Sequence, residues 1–166
     1  MKVFVQFLLV LTCTLYTSTS TAQEMSLDGP EAYEVLQISG EITSGRDPQE
    51  GVTVQLFRAN KVIEVFETKK NGKFKFMLMS NEIYTIQLVK DGYYTKRISV
   101  NTYVPEDVTG DFDFDFDINV DSKKTHDYDP YLVEYPSAII SYSKKKKEFI
   151  FDKDYTESYF EDIENE

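Results

Sequence analysis

Between residues 36 and 88, apolar side chains recur at every second position, and this alternation commits the stretch to β-strands. Leu36, Ile38, Gly40 and Ile42 share one parity, with Gln37, Ser39 and Glu41 on the other. Val52, Val54 and Leu56 alternate with Thr53, Gln55 and Phe57. Phe74, Phe76 and Leu78 alternate with Lys73, Lys75 and Met77, and Tyr84, Ile86 and Leu88 with Thr85 and Gln87. Successive side chains on a strand point to opposite faces, so each run turns one face to a core and the other mostly to water. No stretch here holds a comparable 3.6-residue pattern. Ala59-Asn60-Lys61, Asn71-Gly72 and Asp91-Gly92 separate the runs, and Asn-Gly or Asp-Gly accepts the positive φ of a tight hairpin. Strand starts every ten or so residues suit an antiparallel sandwich rather than βαβ units.

The N-terminus has another texture. Lys2 precedes an apolar stretch, Val3 to Val10, extended by Leu11 and Leu15 and followed by Thr17-Ser18-Thr19-Ser20-Thr21-Ala22. A charge, a short apolar core and small residues in that order predict a signal peptide over residues 1–22, cut before Gln23. The core is shorter than the roughly 20 residues of a membrane span, so an exported chain with no transmembrane segment is expected, periplasmic, outer-membrane-associated or secreted. Cys13, the only cysteine, could carry a lipid anchor. Val10-Leu11-Thr12 ahead of it lacks the small residue usual before a lipidated cysteine, so its removal with the signal peptide is expected. The mature chain then has no disulfide. Residues 23–32 read as a leader containing the turn-prone Asp28-Gly29-Pro30.

Beyond Val104-Pro105 the pattern shifts again. Asp111 to Ile118 alternates Asp with Phe or Ile, and a polar stretch follows from Asp121 to Pro130. Ala138-Ile139-Ile140 and Phe149-Ile150-Phe151 then bracket Lys144-Lys145-Lys146-Lys147, predicting a smaller hairpin or two strands added to the main sheet. The chain is thus divided into a sandwich over 33–120, a linker with C-terminal strands over 121–152, and an acidic tail over 153–166. That tail is either a short helix or disordered.

The net charge is −11; losing residues 1–22 removes only Lys2 and leaves −12. Such a field repels nucleic acid and anionic lipid and favours cations or basic partners. Twelve Tyr and twelve Phe without Trp suit strands whose rings cover a sheet while the hydroxyls stay wet.

Several of these runs together carry a family resemblance. Ile38-Ser39-Gly40-Glu41-Ile42, Gly51-Val52-Thr53-Val54, Gly72-Lys73-Phe74-Lys75-Phe76 and Tyr84-Thr85-Ile86-Gln87-Leu88 leading to Asp91-Gly92-Tyr93 resemble the carboxypeptidase regulatory-like domain. The resemblance covers residues 38–100. It implies a transthyretin-like (prealbumin-like) fold: an all-β, antiparallel, seven- to eight-stranded Greek-key-like sandwich, here with a C-terminal β-hairpin extension and an acidic tail. The segments around Val133–Ile140 and Phe149–Thr156 look like an extension found beside such domains in exported proteins of the Bacteroidetes group. In carboxypeptidases the module is the non-catalytic appendage, and the zinc-bearing domain lies elsewhere.

The chemistry-bearing residues are few. His126 is the only histidine and reads as a solvated linker residue. A Ser-His-Asp triad needs it held by a buried acid beside an activated serine, and no G-x-S-x-G elbow exists. A peptidase-type zinc site needs several His, Cys or carboxylate ligands. Carboxylates abound, but nothing singles out a catalytic pair with one raised pKa. The expectation is a chain that is not an enzyme and binds an envelope protein or glycan. The alternative is a calcium-stabilised module. On a strand Asp111, Asp113, Asp115 and Asp117 share one face at ~7 Å spacing, while Phe112, Phe114 and Phe116 enter the core. Clustered carboxylates suit a calcium ion, although Phe116 stands where an EF-hand loop needs glycine. The plainer reading of the ladder is an edge strand made unfriendly to further pairing. Lys144–Lys147 reads as a solvated hairpin tip, or as a contact with an anionic surface or the chain's own acidic tail.

Overall fold

The computed structural model describes residues 32–164. The expected signal peptide with Cys13, and all but the last residue of the leader, lie outside them. Eleven strands and one α-helix follow in chain order: β1 (Glu34–Ser44), β2 (Asp47–Pro48), β3 (Thr53–Arg58), β4 (Lys61–Glu67), β5 (Lys73–Met79), β6 (Ile83–Val89), β7 (Lys96–Asn101), β8 (Phe112–Asp115), β9 (Ile118–Asn119), β10 (Ala138–Ser143), β11 (Glu148–Phe151) and α1 (Lys153–Glu164). The strands form two sheets that face each other across one core. The first is built on β1, flanked by β5 and β2 on one side and by β8 and β9 on the other. The second runs β11-β10-β7-β6-β3-β4.

The period-two residues fill the space between the sheets. Leu36, Ile38, Ile42, Val54, Leu56, Phe76, Leu78, Tyr84, Ile86 and Leu88 are all buried. Their alternates point outward, as the pleat requires. The β3–β4 turn places Ala59 at φ 48° and Asn60 at φ 61°, positive at both central residues as tight hairpins prefer. Gly72 (φ 62°) and Gly92 (φ 82°) supply the same freedom at the other expected turns. Two buried threonines close the ends of the core. Thr102 Oγ1 donates to the Met79 carbonyl at 2.7 Å, and Thr68 Oγ1 to the Gln49 carbonyl at 2.6 Å.

The all-β sandwich agrees with the sequence reading, and its sheets are mixed rather than wholly antiparallel. β8 and β9 run parallel to β1, and β10 runs parallel to β7. The connections explain this. After β7 the chain crosses to the first sheet, and after β9 it crosses back, and crossovers of a dozen or more residues are what parallel neighbours require. Hairpin β10–β11 joins the second sheet beyond β7. Phe112, Phe114 and Phe116 pack edge-on against Phe149 and Phe151, so the open side of the sandwich near β8 and β11 is closed by aromatic rings. Arg97 binds the returning chain, its guanidinium reaching Gln87 Oε1 at 2.8 Å and the Val133 carbonyl at 3.2 Å.

Residues 153–164 resolve the alternatives for the C-terminus in favour of a helix. Asp152 caps it, with its carboxylate accepting from the Tyr155 amide at 3.1 Å, the usual service of an N-cap acid.

Candidate functional site

The aspartate ladder divides between three settings. Asp113 and Asp115 lie on the outer face of the first sheet, opposite Gln37 and Ser39 of β1. Gln37 Nε2 donates to Asp113 Oδ1 at 2.8 Å and Ser39 Oγ to Asp115 Oδ1 at 2.7 Å. Asp111 is exposed just before β8, and Asp117 falls at the break between β8 and β9. Among the described residues no group of three or more His, Cys, Asp or Glu is placed to hold a metal ion. The phenylalanines of the same run enter the core as their parity predicts, and among the described residues β8 pairs only with β1, which leaves it an edge strand there. His126 is exposed in the turn after Ser122, its Nδ1 2.9 Å from Thr125 Oγ1. Lys144–Lys147 forms the exposed tip of the β10–β11 hairpin.

Two features went unseen in the sequence. The first is the free edge of β4. Among the described residues this strand ends the second sheet and pairs only with β3, yet Val62, Ile63 and Val65 are 46%, 47% and 52% exposed. The Thr68 amide donates to the Val52 carbonyl. Antiparallel bonding alternates, so Phe66 and Glu64 face β3, while the amides and carbonyls of Val65 and Glu67 face the open side. The available signal was the adjacent apolar pair Val62-Ile63. It breaks strict alternation because the pairing slips by one residue near Leu56/Phe57.

The second feature is a cleft of about 450 Å³ where α1 crosses the open end of the sandwich. Ile98, Ile118 and Ala138 form its floor, and Thr156, Phe160 and Ile163 its helical wall. Those helix positions, spaced four and three apart, share one face. At one end Lys96 Nζ donates to the Asn119 carbonyl at 2.6 Å and to Asp121 Oδ2 at 3.0 Å. Asn119 Nδ2 holds the other carboxylate oxygen at 2.6 Å. The Lys96 ammonium also sits 5.8 Å from the centroid of Phe160. Tyr159 lies behind this wall; burial, with smaller effects of Tyr155, Asp121 and Tyr128, pushes its phenol up to about 12. Tyr155 is raised by burial as well, and its hydroxyl donates to the Pro136 carbonyl at 2.7 Å.

No protein-family model matches the chain, and no curated protein matches it. Solved structures do. A 3-chlorocatechol 1,2-dioxygenase from Rhodococcus opacus is 10% identical with a TM-score of 0.41, over 56% of this chain and 62% of that one. A 5-hydroxyisourate hydrolase from Klebsiella pneumoniae is 20% identical with a TM-score of 0.36, over 50% of this chain and 89% of that one. A catechol 1,2-dioxygenase from Pseudomonas arvilla is 12% identical with a TM-score of 0.38, over 57% and 54%. The chain thus spans about three-fifths of the Rhodococcus dioxygenase. The chain's own architecture is an all-β sandwich of two mixed sheets. The expectation that the chain is not an enzyme is corrected here, because the solved chains it resembles include dioxygenases and a hydrolase. That expectation rested on scarce histidine and cysteine, which bears on particular mechanisms and not on the fold. At these identities and TM-scores the likeness concerns architecture and assigns no reaction.

Proposed function

We propose that this chain is an exported module that holds a protein partner at the cell envelope by accepting an added strand along β4. The observation that carries the reading is the edge of β4, with Val62, Ile63 and Val65 exposed beside main-chain groups that no strand among the described residues pairs. Native sheets usually blunt such an edge with charge, proline or a covering element. Here three apolar side chains occupy it, flanked by Lys61, Glu64 and Glu67. Strand addition draws affinity from main-chain hydrogen bonds and specificity from alternate side chains. The net charge of −11 favours an extended segment carrying basic residues. The resemblance of residues 38–100 to carboxypeptidase regulatory-like domains, modules that accompany other domains, supports a partner-facing role.

Val65→Pro tests this reading. Its amide faces the open side, so proline removes a donor from the free edge and leaves the β3 ladder intact. Capture from envelope extracts with the wild-type and Val65→Pro chains should retrieve one protein in near-stoichiometric amount with the wild type alone. Equal capture by both chains, or retention of glycan only, contradicts the reading. A wild-type dimer that Val65→Pro converts to monomer also contradicts it, since the edge would then belong to a second copy.

A further inference from the structure

Beyond the β4 edge, the cleft under α1 has the chemistry of a ligand site, and we propose that it binds a small organic cation with an apolar body. Three observations converge. Its volume of about 450 Å³ falls in the range of small-molecule pockets. Its floor and wall are apolar, and Phe116, Phe151 and Phe160 bring aromatic rings to it. Its charged groups are Asp117, Asp121 and Lys96, one more negative than positive, within a chain whose net charge is −11.

The arrangement already accommodates one ammonium. Lys96 Nζ is held by Asp121 and the Asn119 carbonyl while lying over Phe160, so a carboxylate and a ring face act on the same cation. That pair neutralises itself and leaves Asp117. Asp117 is exposed at the rim and makes no hydrogen bond or ion pair among the described residues. A ligand ammonium placed between Asp117 and the rings of Phe116 and Phe151 repeats the pattern of Lys96. The body of the ligand then rests on Ile98, Ile118 and Ala138. An anionic ligand meets Asp117 and Asp121 with only the committed Lys96 in its favour. A neutral one leaves Asp117 without a partner.

Three probes of one shape and different charge test the proposal: benzylamine, protonated at pH 7, benzyl alcohol and benzoate. Binding to the full chain is followed by saturation-transfer NMR and by titration of backbone amide shifts. Benzylammonium should bind saturably, at least fivefold more tightly than benzyl alcohol, with shifts concentrated at residues 116–121 and 156–163, and benzoate should not bind. Asp117→Asn, at an exposed position that leaves the fold intact, should weaken benzylammonium at least fivefold. Ala138→Phe, which fills the floor, should abolish binding, with its circular dichroism spectrum confirming the fold. Three results overturn the proposal: no saturable binding of benzylammonium, equal or tighter binding of the alcohol or the benzoate, or an affinity unchanged by Asp117→Asn.

Discussion

A Cβ built on Gly40 would overlap the Phe116 carbonyl oxygen, where the chain passes from β8 to β9 against β1. In the sequence Gly40 is one more position of inward parity; in the structure its missing side chain admits the neighbouring backbone. Gly40→Ala should therefore lower stability by about 1–3 kcal/mol, as overpacking does, measured by denaturant unfolding. The Asp/Phe run offers a sharper contrast between adjacent residues. Phe114 packs against Phe151 at 5.1 Å between centroids, whereas Asp113 is exposed and its carboxylate accepts from Gln37. Phe114→Ala should cost about 3 kcal/mol, and Asp113→Asn should stay within about 0.5 kcal/mol of wild type. The parity of the phenylalanines was legible because a strand has period two. The partners of the aspartates were not, because Gln37 and Ser39 stand on a strand some 76 residues away in sequence.

Among the elements, α1 and β4 were the least legible. The α1 segment has no basic residue in its last turn, where Glu161 and Asp162 oppose the helix dipole, while Asp154 in the first turn favours it. Its helicity comes instead from the Asp152 cap and from Tyr155, Tyr159 and Ile163 facing the sandwich, partners that local sequence does not reveal. Asp152→Ala should destabilise the helix by about 1 kcal/mol, read as lost ellipticity at 222 nm. Tyr159 adds a pH dependence. Its phenol rises from an ordinary 10.0 to about 12 in the folded chain, so the neutral form is favoured by folding. The stabilisation is complete below pH 10 and is lost as pH climbs through about 12. Phenolate absorbance and ellipticity should record a late-titrating tyrosine whose ionisation coincides with loss of helix, and Tyr159→Phe should remove that transition. In β4 the slipped pairing near Leu56/Phe57 turns an apparently amphipathic strand into one with exposed apolar residues, and slippage of register is invisible to a count of alternation.

Across the whole molecule, the two candidate binding features stand at opposite parts of the second sheet. β4 is its last strand, and the cleft lies by β7 and β10 near the other edge. Substitutions at one should therefore leave the other intact, since distant sites without shared partners act independently. Val65→Pro should bind benzylammonium as the wild type does, and Asp117→Asn should capture the same protein as the wild type. The strand content and the core came directly from alternation and turns. The crossovers that make the sheets mixed, and the cleft that α1 creates over them, depend on long-range returns of the chain that no local pattern encodes. The most direct measurement is amide hydrogen exchange across β4 in the full chain, alone and saturated with the captured partner. Strand addition predicts that the amides of Val65 and Glu67 slow at least tenfold on binding. Unchanged exchange in β4, with protection arising elsewhere, contradicts it.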